Sequence, residues 1–287
     1  MIEMLATSPA ALTITVAVLG LLIGSFLNVV IYRLPVMMEN RWRADCQEHA
    51  GDEEAAEATF NLITPASTCP YCQHKIRAWE NIPVISYLLL RGKCIACKAR
   101  ISPQYPLVEL ATAALSAAVA WQLGFSWLTL AALLFTWTLI ALTVIDFNTQ
   151  LLPDSLTLPL LWLGLLINTS NGFTDPVSAI WGAAAGYLSL WLVYQLFKLV
   201  TGKEGMGYGD FKLLAAIGAW CGWQVLPITI ILSSVIGAVV GIVLIVLQRQ
   251  QRGTPIPFGP FLAGAGWISL FWGNDLMQAW LRISVPG

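Results

Sequence analysis

Eight apolar runs, each close to the roughly 17–25 residues that a helix needs to cross a bilayer, make up most of this 287-residue chain. They lie at about 10–32, 106–122, 127–145, 155–170, 178–199, 211–224, 226–248 and 256–273, the sixth being short for a full span. Hydrophobic residues reach 57% and charged ones only 11%, with a mean hydropathy of +0.71, a combination foreign to ordinary soluble domains. The chain therefore reads as an all-α polytopic membrane protein with about eight transmembrane helices in contact with the lipid bilayer. The first run is too long for a signal-peptide core and has no basic segment before it, so it reads as a retained span. A net charge of −1 and the lack of any long lysine/arginine run argue against nucleic acid as a partner.

Basic residues set the orientation, because lysine and arginine are retained on the cytoplasmic side. If the first span runs from outside to inside, Arg33, Arg41, Arg43, Lys75, Arg77, Arg91, Lys93, Lys98 and Arg100 share one cytoplasmic loop. Following the remaining spans places Lys198, Lys203, Lys212, Arg249 and Arg252 inside and leaves Arg282 outside. Asp146, Asp154 and Asp210, which did not enter that count, then fall on the cytoplasmic face together.

The expected organisation is a first transmembrane helix over 1–33, a cytoplasmic loop over 34–105 and a seven-helix membrane domain over 106–287. Within the loop, residues 39–59 are acidic and alanine-rich, with Asp45, Glu48, Asp52, Glu53, Glu54 and Glu57, and read as a solvated insertion with some helix or as a surface for a basic substrate segment. The second half holds Cys69-Pro-Tyr-Cys72 and Cys94-Ile-Ala-Cys97. Four thiolates in two Cys-x2-Cys knuckles at this spacing suit one tetrahedral zinc in a zinc-ribbon-like loop, whereas two disulfides are disfavoured where thiols stay reduced. With no position left open, the metal is structural and supplies folding energy to a loop with little core. Cys46 reads as a loop thiol and Cys221 as a buried helix residue. Gly20/Gly24, Gly182/Gly186 and Gly237/Gly241 have the spacing that lets membrane helices approach closely.

An ionisable residue at membrane depth is expensive and marks function. Asp146 and Asp210 end long apolar runs, the latter inside Gly207-Tyr-Gly-Asp210. A zinc protease would need His-Glu-x-x-His and a serine protease a base, but the only histidines, His49 and His74, lie in the loop. Two carboxylates remain: neighbouring acids cannot both ionise, so one donates a proton while the other activates water. The glycines permit tight turns and close approach of a substrate backbone. The plainer readings are a helix-end residue at the interface for Asp146 and a helix N-cap for Asp154.

Gly24-Ser-Phe-Leu-Asn28-Val-Val-Ile-Tyr-Arg33-Leu-Pro35, the two cysteine knuckles, Asn81-Ile-Pro-Val-Ile-Ser-Tyr, Tyr105-Pro-Leu-Val-Glu109, Asp146 with Leu151-Leu-Pro-Asp154, and Gly207-Tyr-Gly-Asp210 together resemble the type IV prepilin peptidases. The resemblance runs through nearly the whole chain in order. It implies a Gly-x-Gly-Asp aspartic protease with Asp146 and Asp210 as catalytic residues, zinc on Cys69, Cys72, Cys94 and Cys97, and a loop serving N-methylation with S-adenosylmethionine. It further implies type IV prepilins or type II secretion pseudopilins as substrates, and the bacterial inner membrane as location, with the active site facing the cytoplasm. One departure is Gln104, where a basic residue is expected. No Gly-x-Gly-x-x-Gly fingerprint marks an adenosylmethionine pocket; the candidates are Asn28, Arg33, Glu80, Asn81 and Glu109, near the membrane junctions of the loop. The rival reading, a proton-coupled transporter using the same carboxylates, lacks paired broken helices and an inverted repeat.

Overall fold

Each of the eight apolar runs lies on a helix. The computed structural model describes residues 2–50, 60–247 and 256–284, so Asp52, Glu53, Glu54 and Glu57 of the acidic segment, and Arg249 and Arg252, lie outside the described residues. In chain order come α1 (Ile2–Thr7), α2 (Pro9–Ala50), a 3-10 turn (Ala78–Asn81), α3 (Ile85–Leu89), α4 (Gln104–Leu123) and α5 (Trp127–Thr149). They are followed by α6 (Asp154–Asn168), α7 (Pro176–Thr201), α8 (Tyr208–Cys221), a second 3-10 turn (Trp223–Val225), α9 (Leu226–Val246) and α10 (Gly259–Ser284). Among the described residues, extended pairing is limited to two isolated bridges.

By length and composition, five segments can cross a membrane: Pro9–Gln47, Gln104–Leu123, Trp127–Thr149, Pro176–Thr201 and Trp223–Val246. A count of eight would add α6, α8 and α10. α6 has 15 residues and α8 has 14, which at 1.5 Å per residue reach only about 21–23 Å of a hydrocarbon core of about 30 Å. At the other extreme α2 has 42 residues and carries the first apolar run onward into Arg41, Arg43 and Asp45, so the start of the acidic segment is helical.

The chain divides into two compact units, Met1–Ala141 and Leu142–Gly287, with the boundary inside α5. In the first, α2 packs on α4 through its glycines. A Cβ at Gly20 would stand 2.8 Å from the Ala113 Cα, and one at Gly24 would stand 2.7 Å from the Glu109 Cα, so the two backbones meet at van der Waals distance. Trp137 Nε1 of α5 donates to Ser116 Oγ of α4 at 2.9 Å.

In the second unit α8 is the centre. Ten of its 14 residues are buried, from Asp210 to Trp220, and its neighbours are α6, α7 and α10. Such a helix meets protein rather than lipid and need not match the bilayer thickness. α7 reaches it through Gly182 and Gly186: a Cβ at Gly182 would strike the Gly218 carbonyl, and one at Gly186 would lie 2.6 Å from the Leu214 carbonyl oxygen. Gly237 and Gly241 likewise receive Phe261 and Ile256, at 3.2 and 3.0 Å from a Cβ placed there.

The end of α8 is held by Asn168, which is fully buried. Its Nδ2 donates to the carbonyls of Ala219 at 2.7 Å and Trp220 at 3.0 Å, while its Oδ1 accepts from the amides of Phe173 and Thr174 at 2.8 and 3.1 Å. One side chain thus satisfies terminal carbonyls of one helix and amides of the loop that follows α6. Replacing Asn168 by Leu leaves those groups buried without partners. The expected loss is about 2–4 kcal/mol of stability, read as a lower thermal midpoint of the detergent-solubilised protein; an unchanged midpoint would contradict the assignment.

Candidate functional site

Two groups of chemistry-bearing residues are assembled, one in each unit. In the first unit the knuckles repeat one geometry. The Cys69 amide donates to the His74 carbonyl at 2.9 Å and the Gln73 amide to the Cys69 carbonyl at 2.9 Å; the Cys94 amide donates to the Ala99 carbonyl at 2.8 Å and the Lys98 amide to the Cys94 carbonyl at 3.0 Å. Gln73 and Lys98, each directly after the second cysteine of its knuckle, have φ of 57° and 61°, the left-handed turn that folds each hairpin back on its sulfurs. All four Sγ atoms lie within 4.8 Å of one another, with Cys69–Cys97 at 3.8 Å and Cys72–Cys94 at 3.9 Å. Zn–S bonds of about 2.3 Å in a regular tetrahedron require sulfurs about 3.8 Å apart. The donor set fits zinc, and the cysteines are free rather than disulfide-bonded. Backbone amides of Tyr71 and Cys72 aimed at Cys69 hold its thiol down at about 7. The amides of Cys97 and Ala96 likewise lower Cys94. Thiolates are the form a metal binds. Beside the first knuckle, Glu80 contacts His74 Nε2 at 3.1 Å and accepts from the Arg77 amide at 3.3 Å.

Asn28 of α2 and Glu109 of α4 lie on two helices that pack together, and both are buried. Asn28 Nδ2 donates to the Tyr105 carbonyl at 3.1 Å, and its Oδ1 is buried without a partner among the described residues. Glu109, one turn beyond Tyr105, accepts the Val84 amide on Oε2 at 2.7 Å, which ties the loop to the membrane helix. Arg33 is turned elsewhere: Nη1 and Nη2 donate to the carbonyls of Asn61 and Pro65 at 2.8 and 2.6 Å, and the guanidinium lies 5.5 Å from the centroid of Phe60. Its fork is committed to shaping the start of the loop. Glu80 sits in the 3-10 turn beside the knuckle, and Asn81 is exposed at the end of that turn.

In the second unit Asp146 occupies the last turn of α5 and Asp210 the first turn of α8, at 5% and 8% exposure. Leu152 links their surroundings, contacting Gly209 beside Asp210 and, together with Asp146 Oδ2, the space beside Gly259. Asp146 Oδ2 accepts the Gly259 amide at 3.0 Å. Asp210 Oδ1 is buried and, among the described residues, without a hydrogen-bond partner. Leu152 is wedged between the glycines: a Cβ at Gly209 would lie 2.6 Å from the Leu152 Cβ, and one at Gly259 would lie 2.6 Å from Asp146 Oδ2 and 3.3 Å from Leu152 Cδ1. Gly209 is thus required by packing. A Cβ at Gly207, in contrast, would meet only Asp210 Oδ2 and the Gly209 nitrogen, both at 4.0 Å, so the backbone beside Asp210 is accessible. Rings of Tyr194, Tyr208 and Phe211, with centroids 5.4–5.7 Å apart, pack this turn of α8 on α7.

Asp154 differs from the expected N-cap. The cap position of α6 is Pro153, no side-chain cap bond forms, and the Asp154 carboxylate instead takes Lys212 Nζ at 2.7 Å on both oxygens. Proline at the cap moves Asp154 into the first helical turn, opposite the residue that follows Asp210 by two. The Gly259 amide was invisible to sequence reasoning as well. Pro257-Phe-Gly-Pro260 signals a turn, but nothing in it says which carboxylate the turn will meet.

Sequence comparison matches the segments that contain both groups. A model of the bacterial peptidase A24 N-terminal domain matches residues 18–123, which hold the knuckles, Asn28 and Glu109. The type IV leader peptidase family matches residues 133–242, which hold Asp146 and Asp210. The chain is 60% identical over 284 residues to a prepilin leader peptidase/N-methyltransferase of Stutzerimonas stutzeri, covering 99% of this chain and 98% of that one. The chain belongs to the type IV leader peptidase family. A prepilin leader peptidase/N-methyltransferase of Pseudomonas aeruginosa is 57% identical, with 99% and 98% coverage, and one of Neisseria gonorrhoeae is 55% identical, with 93% and 92% coverage. No solved structure matches the chain. The segment matched as type IV leader peptidase ends before Gly259, so the amide on Asp146 comes from outside it.

The sulfur geometry predicts about one zinc per chain in protein purified without chelator, and its loss in Cys72→Ser or Cys94→Ser. Elemental analysis giving less than about half an equivalent for the unaltered chain would reject the site.

Proposed function

We propose that this chain is a membrane-embedded aspartic endopeptidase that removes the basic leader of type IV prepilins and type II secretion pseudopilins, then methylates the new amino terminus. The observation that carries the peptidase reading is the pairing of Asp146 with Asp210 in one unit, with an unpartnered Asp210 oxygen and open backbone beside it. Two adjacent buried carboxyl groups share one proton between them. The protonated carboxyl donates to the scissile carbonyl oxygen while the other takes a proton from water, whose oxygen attacks the carbonyl carbon. On collapse of the resulting diol the C–N bond breaks, the proton taken from water passes to the leaving amine, and the dyad recovers its original proton. The family resemblance supports the bacterial inner membrane as the location, and the distribution of basic residues supports a dyad on the cytoplasmic side. A basic leader is retained on that side and brings its scissile bond to the same face.

Methyl transfer belongs with the first helix, the 34–105 loop and α4, and proteolysis with the helices that follow, within the membrane domain over 106–287. S-adenosylmethionine, when bound, supplies the electrophilic methyl group. Asn28, with a buried acceptor that no group among the described residues satisfies, and the Glu109 carboxylate are the residues that would hold its polar groups. Arg33 and Glu80, engaged with the loop and with His74, support that region, and Asn81 lies free at its edge. Zinc on Cys69, Cys72, Cys94 and Cys97 would fix the two knuckles relative to each other.

Asp146→Asn and Asp210→Asn should each lower prepilin cleavage by about 10³-fold or more with membrane insertion intact. Asp154→Asn should keep most activity, since a half-exposed ion pair contributes little. Full cleavage by either dyad variant sinks the mechanism. Asn28→Ala should shorten prepilin and leave its amino terminus unmethylated, which mass spectrometry of the mature terminus reads in one measurement. Equal loss of both steps in a folded Asn28→Ala protein would contradict the division of labour.

A further inference from the structure

The dyad is built asymmetrically. An amide N–H can only donate, so the 3.0 Å contact from Gly259 to Asp146 Oδ2 favours the ionised carboxylate. Gly259 is the first residue of α10, and its N–H is one of those left without a partner inside the helix, at the positive end of its dipole. Residue 260 is proline and has no N–H to offer. The next two amides, of Phe261 and Leu262, both donate to the Phe258 carbonyl at 3.1 Å. α10 therefore aims one amide at Asp146. Asp210 is placed differently: the Gly207 backbone approaches its Oδ2 without a hydrogen bond like the one Gly259 makes to Asp146, while Oδ1 is buried with no partner among the described residues. A charged oxygen buried in that state is costly, and a protonated carboxyl with a free O–H to donate is the form that suits it.

Resting on the reading of Asp146 and Asp210 as the peptidase dyad, we propose that the Gly259 amide is a positioning group that holds Asp146 as the water-activating carboxylate and leaves Asp210 as the proton-bearing acid. Asp146 takes the proton of the attacking water, and Asp210 donates its proton to the carbonyl oxygen. When the C–N bond breaks, Asp146 passes its proton to the amine and Asp210 recovers a proton from the diol. The geometry also explains glycine at 259, because a Cβ there would stand 2.6 Å from Asp146 Oδ2 and 3.1 Å from its Cγ, forcing the amide away. Other titratable groups near the first turn of α8 are engaged with one another: Asp154 with Lys212 at 2.7 Å, and Lys198 with Glu204 at 2.8 Å and with the Tyr194 hydroxyl at 3.4 Å.

The test is the pH profile of kcat/KM for prepilin cleavage by the full-length Gly259→Ala protein, with Gly264→Ala, where a Cβ meets nothing within 4 Å, as the control. Loss of a hydrogen bond to the charged form should move the acid limb upward by about one pH unit, while Gly264→Ala leaves it in place. Should Gly259→Ala be too slow to assay, the difference between infrared titrations of the carboxyl stretch in Asp210→Asn and in Asp146→Asn/Asp210→Asn isolates Asp146. Its midpoint should be higher by a similar shift when Gly259→Ala is added. An unmoved acid limb, or an unmoved infrared midpoint, overturns the role of Gly259 and leaves the dyad standing. Active Asp146→Asn or Asp210→Asn protein overturns the dyad itself.

Discussion

Burial of α8 is the constraint on which the second unit depends. A helix of 14 residues is too short to present itself to lipid across a bilayer, so it must be covered by other helices, and the means of covering it are written into small residues and caps. Gly182 and Gly218 let α7 and α8 touch backbone to backbone, Trp220 Nε1 donates to the Leu160 carbonyl of α6 at 2.8 Å, and Asn168 closes the far end. What the covering achieves at the near end is a carboxyl group, Asp210, held away from water without being neutralised by a cation. Lys212, two residues on, is the nearest basic residue in sequence and is drawn off by Asp154. A lysine paired directly with Asp210 would hold it ionised and leave the dyad without its proton.

The two chemistries are carried by different physical strategies. In the first unit polar groups are satisfied almost completely: Arg33 by two carbonyls, Glu80 by His74 and an amide, and the cysteines by a geometry that a single tetrahedral cation completes. Among the described residues, the exception is Asn28 Oδ1 in the first unit and Asp210 Oδ1 in the second. A buried unpaired polar atom is uncommon and calls for an explanation. The two unpaired atoms fall, one each, in the unit proposed for methyl transfer and the unit proposed for cleavage.

Much of this was legible in the sequence because it is local. Apolar runs became helices, the Cys-x2-Cys spacings became knuckles, and the glycines at Gly20/Gly24 and Gly182/Gly186 became helix contacts, since each signal specifies geometry within a few residues. The family resemblance, carried by motifs in order along the chain, pointed to the family that comparison shows. Pairings between distant segments were not legible: Gly259 with Asp146 is separated by 113 positions, and Lys212 with Asp154 by 58. Helix length was hidden too. Hydropathy continues past the end of α8 into Trp223–Val225, but Gly222, at φ 85°, breaks the helix where the apolar pattern does not.

The account stands most directly on intact-mass measurement of a prepilin incubated with the purified protein. Without S-adenosylmethionine the product should be the pilin lacking its leader with a free amino terminus, and with it the same pilin carrying an added methyl group. Asp210→Asn should yield neither. An uncleaved precursor with the unaltered protein, or a shortened one with Asp210→Asn, would contradict the account.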